Sequence, residues 1–155
     1  MSLVIVALVV LFFIGSVMML RPSARDRHSS VLRQYALQKG MRVKVATSLG
    51  LPLEASRPTL ACVLRERDKE DRQWAPQGAV RQDPDSGKLR FQGDFHRYED
   101  RLRDLFAQLP AGCEQLYSKR SHVGICWDER GENEALDRID QGLDELLKLR
   151  LPGQV

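Results

Sequence analysis

The chain has 155 residues, 43% of them hydrophobic, 29% charged and 6% aromatic, with a formal net charge of +3. That length holds one ordinary domain with an appendage but not two full domains, and the charged and aromatic fractions exclude a disordered chain. So mild a charge also argues against nucleic acid as a partner.

The composition is unevenly placed. Of the first 20 residues, 17 are hydrophobic and none is charged. Leu3 to Leu20 reads LVIVALVVLFFIGSVMML, broken only by Gly15 and Ser16. As a helix this run extends about 27 Å, close to the hydrocarbon thickness of a bilayer. It predicts a transmembrane anchor over residues 1–20. The β-branched residues do not oppose a helix in lipid, where no water is present to satisfy exposed backbone groups. A cleavable signal peptide is the competing reading. It is disfavoured because no Lys or Arg precedes the run and Met18-Met19-Leu20-Arg21 offers no small-residue cleavage site. Gly15 and Ser16 are candidates for a helix–helix contact, since small residues let backbones approach closely.

Residues 21–50 carry seven basic residues against the single acidic Asp26, a net of +6, whereas residues 51–155 carry 17 basic and 20 acidic residues, a net of −3. The positive-inside rule then places the N-terminus outside and everything after the span in the cytoplasm. Three cysteines, Cys62, Cys113 and Cys126, make an odd count without paired spacing, which suits a reducing compartment. Arg21, Arg25, Arg27, Arg33 and Lys39 form a basic collar beside the span. An anionic lipid bilayer attracts each such cation by roughly 1 kcal/mol. The other readings of the collar are topology alone and a basic docking strip for a partner protein.

Residues 21–40 predict a juxtamembrane helix, opened by Pro22 and by Ser23 with Asp26 in a capping-box arrangement and ended by Gly40. Met41, Val43 and Val45 alternate with Arg42 and Lys44 as in a half-buried strand. After a loop over 48–58, Leu60 to Leu64 reads as a short buried strand, and the charged run Arg65 to Arg72 as a solvated turn or protruding hairpin. Strands over 74–82 and 88–92 flank the turn signal Asp83 to Gly87. Tyr98, Leu102, Leu105, Phe106 and Leu109 form the stripe of an amphipathic helix, with Asp94 as a candidate cap. Two further strands, 114–119 and 121–127, precede a last helix over 133–149 that carries Leu136, Ile139, Leu143, Leu146 and Leu147 on one stripe. The expected fold is one N-terminal transmembrane helix plus a small α+β cytoplasmic domain over 41–150. A mainly antiparallel sheet and two amphipathic helices make up that domain, and 151–155 is a tail.

Little in the sequence carries chemistry. Gly87, Gly93, Gly112 and Gly131 are isolated turn residues and cradle no phosphate. Cys113, His122 and Cys126 lack metal-ligand spacing, and strand geometry puts His122 and Cys126 about 13 Å apart. A cysteine nucleophile with His96 or His122 as base is equally weak, and Cys62 and Cys126 read as small core residues. Glu99, Asp100, Asp128 and Glu129 supply carboxylates with nothing to select a pair. The expectation is a non-catalytic protein without cofactor or metal.

The stretch LFFIGSVMMLRPSARDRHSSVLRQYALQKGMRVKVATSLGLP resembles the start of the Sec accessory subunit YajC. The matching features are the span, Leu20-Arg21-Pro22 at its exit, the basic helix to Lys39, Gly40, Val43, Val45 and Gly50. Ser48-Leu49-Gly50 stands where that family has a glycine pair, and the domain out to Val155 has no counterpart in it. The remainder resembles uncharacterised single-span proteobacterial proteins. The resemblance implies a bacterial inner-membrane accessory or docking protein whose cytoplasmic domain binds an integral membrane protein complex, with the Sec translocon as one candidate. The alternative is a membrane-tethered enzyme or small-ligand sensor with a pocket near Cys113, His122 or Glu99.

Overall fold

The computed structural model describes residues 2–19, 23–51, 60–83 and 85–151. The chain divides into two compact units, Met1–Val31 and Leu32–Val155.

The first unit holds helix α1 (Ser2–Met19) and the start of helix α2 (Ala24–Gln38). The predicted capping box is present. Ser23 Oγ accepts the Asp26 amide at 3.1 Å, while Asp26 Oδ2 accepts the Ser23 amide at 3.1 Å and its hydroxyl at 2.7 Å. The expected anchor, in contrast, is corrected. Among the described residues no helix is long and apolar enough to cross a membrane. The transmembrane helix of the expected fold, the single-pass topology and the inner-membrane placement with a cytoplasmic domain are therefore overturned. Gly15 and Ser16 lie within α1, but their side chains are outside the described part, as is the whole of Arg21.

The second unit is α+β. Six strands, β1 (Arg42–Val45), β2 (Ala61–Glu66), β3 (Gly78–Gln82), β4 (Leu89–Gly93), β5 (Cys113–Ser118) and β6 (His122–Trp127), form one sheet in the order β1-β2-β6-β5-β3-β4. Every neighbouring pair is antiparallel. Helices α3 (Glu99–Gln108) and α4 (Asn133–Leu147) follow β4 and β6.

Strand alternation divides the sheet into two faces. Val63, Val80, Leu116, Val123, Ile125 and Trp127 point to one face and pack with Leu32 and Ala36 of α2, Leu102 and Leu105 of α3, and Leu136, Ile139, Leu143 and Leu146 of α4. The core therefore takes in the C-terminal half of α2. Cys62, Leu64, Ala79, Tyr117 and Cys126 point the other way and pack with Ala46 and Leu60. Gly40 ends α2 at φ +75°, as predicted. Asp94 does not cap α3; its carboxylate accepts the Gln77 amide at 2.8 Å, which ties β4's exit to β3's entry.

Two expectations for polar residues fail. The run Arg65–Arg72 is not a solvated protrusion at its start. Arg65 ends in an ion pair with both Asp140 and Asp144 of α4, and Arg67 is only 4% exposed. Cys62 and Cys126 are buried but joined in a disulfide, because the β2–β6 register sets them directly opposite each other. The odd cysteine count thus hides one bridged pair and one buried free thiol, Cys113, and the inference of a reducing compartment loses its basis.

Candidate functional site

Three features stand out from the surface: the apolar helix, the basic residues that follow it, and a pocket at one end of the sheet.

Every described side chain of α1 from Val4 to Ile14 is exposed. The large ones range from 48% for Val9 to 74% for Phe12. No polar or charged side chain interrupts this run. A helix apolar on all sides differs from an amphipathic one, which buries a single stripe on its own domain.

Of the basic collar, Arg25 and Arg27 are exposed in the first unit. Arg33 and Lys39 belong to the second and pair with its acids at the surface. Arg33 donates Nε and one Nη to the Glu129 carboxylate at 2.6 and 2.7 Å, a fork-to-fork pair. Lys39 pairs with Asp137 and lies 3.9 Å from Asp140, and Tyr35 donates its hydroxyl to Asp137 at 3.0 Å. The Lys39 ammonium, with the Tyr35 hydroxyl, holds the Asp137 carboxyl below its usual range. These contacts tie α2 to α4, so the collar is no single free strip. Sequence reasoning missed this because the acids lie about a hundred residues away.

The nominated catalytic groups are dispersed. Cys126 is bridged, Cys113 sits opposite Trp127 on the helical face of the sheet, and His122 lies at the far end of β6 on the other face. Burial, with Asp128 adding to it, pushes the Cys113 thiol up to about 12, so it is no thiolate nucleophile near neutrality. Glu99 pairs with His96 at 3.1 Å and with Arg103 at 3.6 Å. Asp128 accepts the Arg130 amide at 3.1 Å, and Glu129 is taken by Arg33. Among the described residues no cluster of three or more His, Cys, Asp or Glu side chains is placed to hold a metal ion.

A pocket of about 470 Å³ opens where β3 begins, β4 ends and β5 turns into β6. It is lined by Gly50, Gln77, Gly78, Gln92, Gly93 and the hairpin turn Ser118–Ser121. Lys119 is held in place by donating to the carbonyls of Leu49 at 2.6 Å and Gly50 at 3.2 Å. Ser121 Oγ lies 2.8 Å from His122 Nδ1. Burial first, then the charges of Lys119 and Lys44, hold His122 below its ordinary value, with Glu66 pulling the other way. Behind this turn the same sheet face carries buried polar atoms without a partner: His122 Nε2, the Tyr117 hydroxyl, and both amide atoms of Gln115.

Comparison with family models, curated protein sequences and solved structures finds no match to the chain.

Proposed function

We propose that the chain is a non-catalytic docking protein, in which α1 inserts among the apolar helices of a partner assembly and the α+β unit is the domain it brings there. The observation that carries this reading is the uninterrupted exposure of Val4 to Ile14 in α1. Exposed apolar area on this scale marks an association surface. Because the helix is apolar on every side, a flat contact would leave part of it in water, so the fitting partner surrounds it with apolar side chains. Anchoring by one helix raises the local concentration of the attached domain without a strong pairwise affinity of its own. The raised Cys113 thiol, which burial keeps protonated near neutrality, supports docking over cysteine-based catalysis. The resemblance of residues 11–52 to YajC makes a protein-translocation assembly the first partner to test.

A photo-reactive side chain placed at Leu8 or Phe12 tests the reading. The expected result is a cross-link to an apolar helix of one partner protein, lost when Leu8→Asp is introduced. Cross-links to detergent or lipid alone, with the chain recovered by itself, overturn it.

A further inference from the structure

The pocket at the β5–β6 turn is lined by cations and by neutral groups. Two of its lining residues, Lys119 and Arg120, are basic, and none is acidic. Of the carboxylates around it, Glu66 pairs with Arg42 at 2.7 Å, while Asp94, beside Gly93, accepts the Gln77 amide and keeps its charge behind the pocket wall. Arg120, exposed at the tip of the turn, has no ion-pair partner among the described residues. Lys119 is a different kind of cation. Its two carbonyl contacts fix the ammonium without neutralising it, so the charge stays at the pocket wall.

Neutral donors complete the lining. Gln77 precedes the start of β3 and Gln92 lies at the end of β4, and Ser121 adds a hydroxyl 2.8 Å from His122 Nδ1. Gly78 and Gly93 are opposite each other in the β3–β4 register, with Gly93 at φ +67°. A Cβ on Gly78 would run into the Gln92 carbonyl and the Phe95 main chain. These glycines let the strand ends close up and shape the pocket floor in backbone. Burial lowers the His122 titration first, and the charges of Lys119 and Lys44 lower it further against Glu66.

We infer that this pocket binds a small oxyanion, the phosphate or carboxylate group of a metabolite-sized ligand, with Arg120 as the forked contact and Lys119 and Ser121 as further donors. A guanidinium matches the two oxygens of either group bidentately, and about 470 Å³ suits a small ligand. The inference stands apart from α1 and from any docking partner.

The test uses the isotope-labelled full chain, titrated separately with inorganic phosphate and with citrate while amide and arginine side-chain signals are followed. Saturable shifts are expected at Lys119 to Ser121 and at Gln92 and Gly93. Arg120→Ala should weaken binding tenfold or more and Ser121→Ala several-fold, whereas Lys69→Ala, in the exposed charged run, should change nothing. Tighter phosphate binding assigns a phosphorylated ligand and tighter citrate binding a carboxylated one. Absence of saturation with both anions, or equal binding by Arg120→Ala and the native chain, overturns the inference.

Discussion

Arg67 donates its guanidinium to the main-chain oxygen of Leu146 at 3.1 Å, from a position just beyond β2 to the last turn of α4. The same group reaches the Leu147 carbonyl at 3.0 Å and Ser118 Oγ at 3.0 Å. Ser118 in turn donates to the Pro76 carbonyl at 2.6 Å. One buried cation thereby adds donors to the last two carbonyls of α4 and joins the helix to β5 and, through Ser118, to the entry of β3. Burial lowers the Arg67 titration from its ordinary value while Asp71 opposes that shift.

Arg67→Met should therefore destabilise the fold by about 2–4 kcal/mol, since it removes three hydrogen bonds of a buried charged group, to the Leu146 and Leu147 carbonyls and to Ser118 Oγ. Arg67→Lys should recover only part of this, because an ammonium cannot present the fork that meets three acceptors. Urea unfolding followed by circular dichroism measures both. A change below about 0.5 kcal/mol for Arg67→Met, the range of an ordinary surface substitution, would show that the contact does not hold α4 down.

A second expectation concerns the opposite sign. Gln115 is 1% exposed and both its amide atoms lack a partner; the Tyr117 hydroxyl is in the same position. Leaving such groups unmade costs about 1–3 kcal/mol each. Gln115→Met and Tyr117→Phe should each raise stability by about 1 kcal/mol, read as a higher urea midpoint at unchanged slope. Gly124→Ala should do the reverse, because its Cβ would enter the Tyr117 ring, at about 1–3 kcal/mol. If Gln115→Met is destabilising instead, the amide has a bound partner in solution.

The disulfide gives a third. Cys62 and Cys126 close a loop with a sequence separation of 64. The chain-entropy estimate for such a loop is about 4 kcal/mol. Reductant should lower the stability of the native chain by an amount of that order, and Cys62→Ser/Cys126→Ser should show the lower stability with no further response to reductant. A native chain indifferent to reductant would mean that the pair contributes nothing as a covalent tie.

How much of this was legible beforehand depends on the range of the interaction. The stripe Leu136, Ile139, Leu143 and Leu146 and the alternation of Val123, Ile125 and Trp127 record a buried face in local spacing, so α4 and β6 were readable directly. The same holds for the turn at Asp83 to Gly87 and for the Ser23–Asp26 capping box. Arg65 and Arg67 were misread because a run of eight charges looks solvated until Asp140, Asp144 and the end of α4 are brought to it. Likewise, nothing within a few residues of Cys62 announces Cys126; the pairing follows from the β2–β6 register. The pocket was invisible for the same reason. Gln77, Gln92 and Ser121 come from the ends of three strands, and only the sheet order β6-β5-β3-β4 gathers them. The apolar run at the N-terminus was legible as a helix, but its setting was not, since periodicity says how a segment coils and composition alone does not say what surrounds it.

Cys113 provides the last prediction. It is 5% exposed, and burial, with Asp128 second, raises its thiol from about 9 to about 12. A thiol whose folded value is raised binds its proton more tightly in the folded state, so its contribution to stability is fully present below about pH 9. That contribution is lost as pH rises from 9 towards 12. At pH 8 the thiol is neutral and shielded, and only the thiolate attacks alkylating reagents. Iodoacetamide added to the native, unreduced chain at pH 8 should leave it unlabelled. The same reagent in urea without reductant should add one label, at Cys113, and with reductant three. Rapid native labelling of Cys113 would show that the β5 edge of the helical core opens on the timescale of the reaction. Labelling at Cys62 or Cys126 without reductant would show that the bridge between β2 and β6 is not formed.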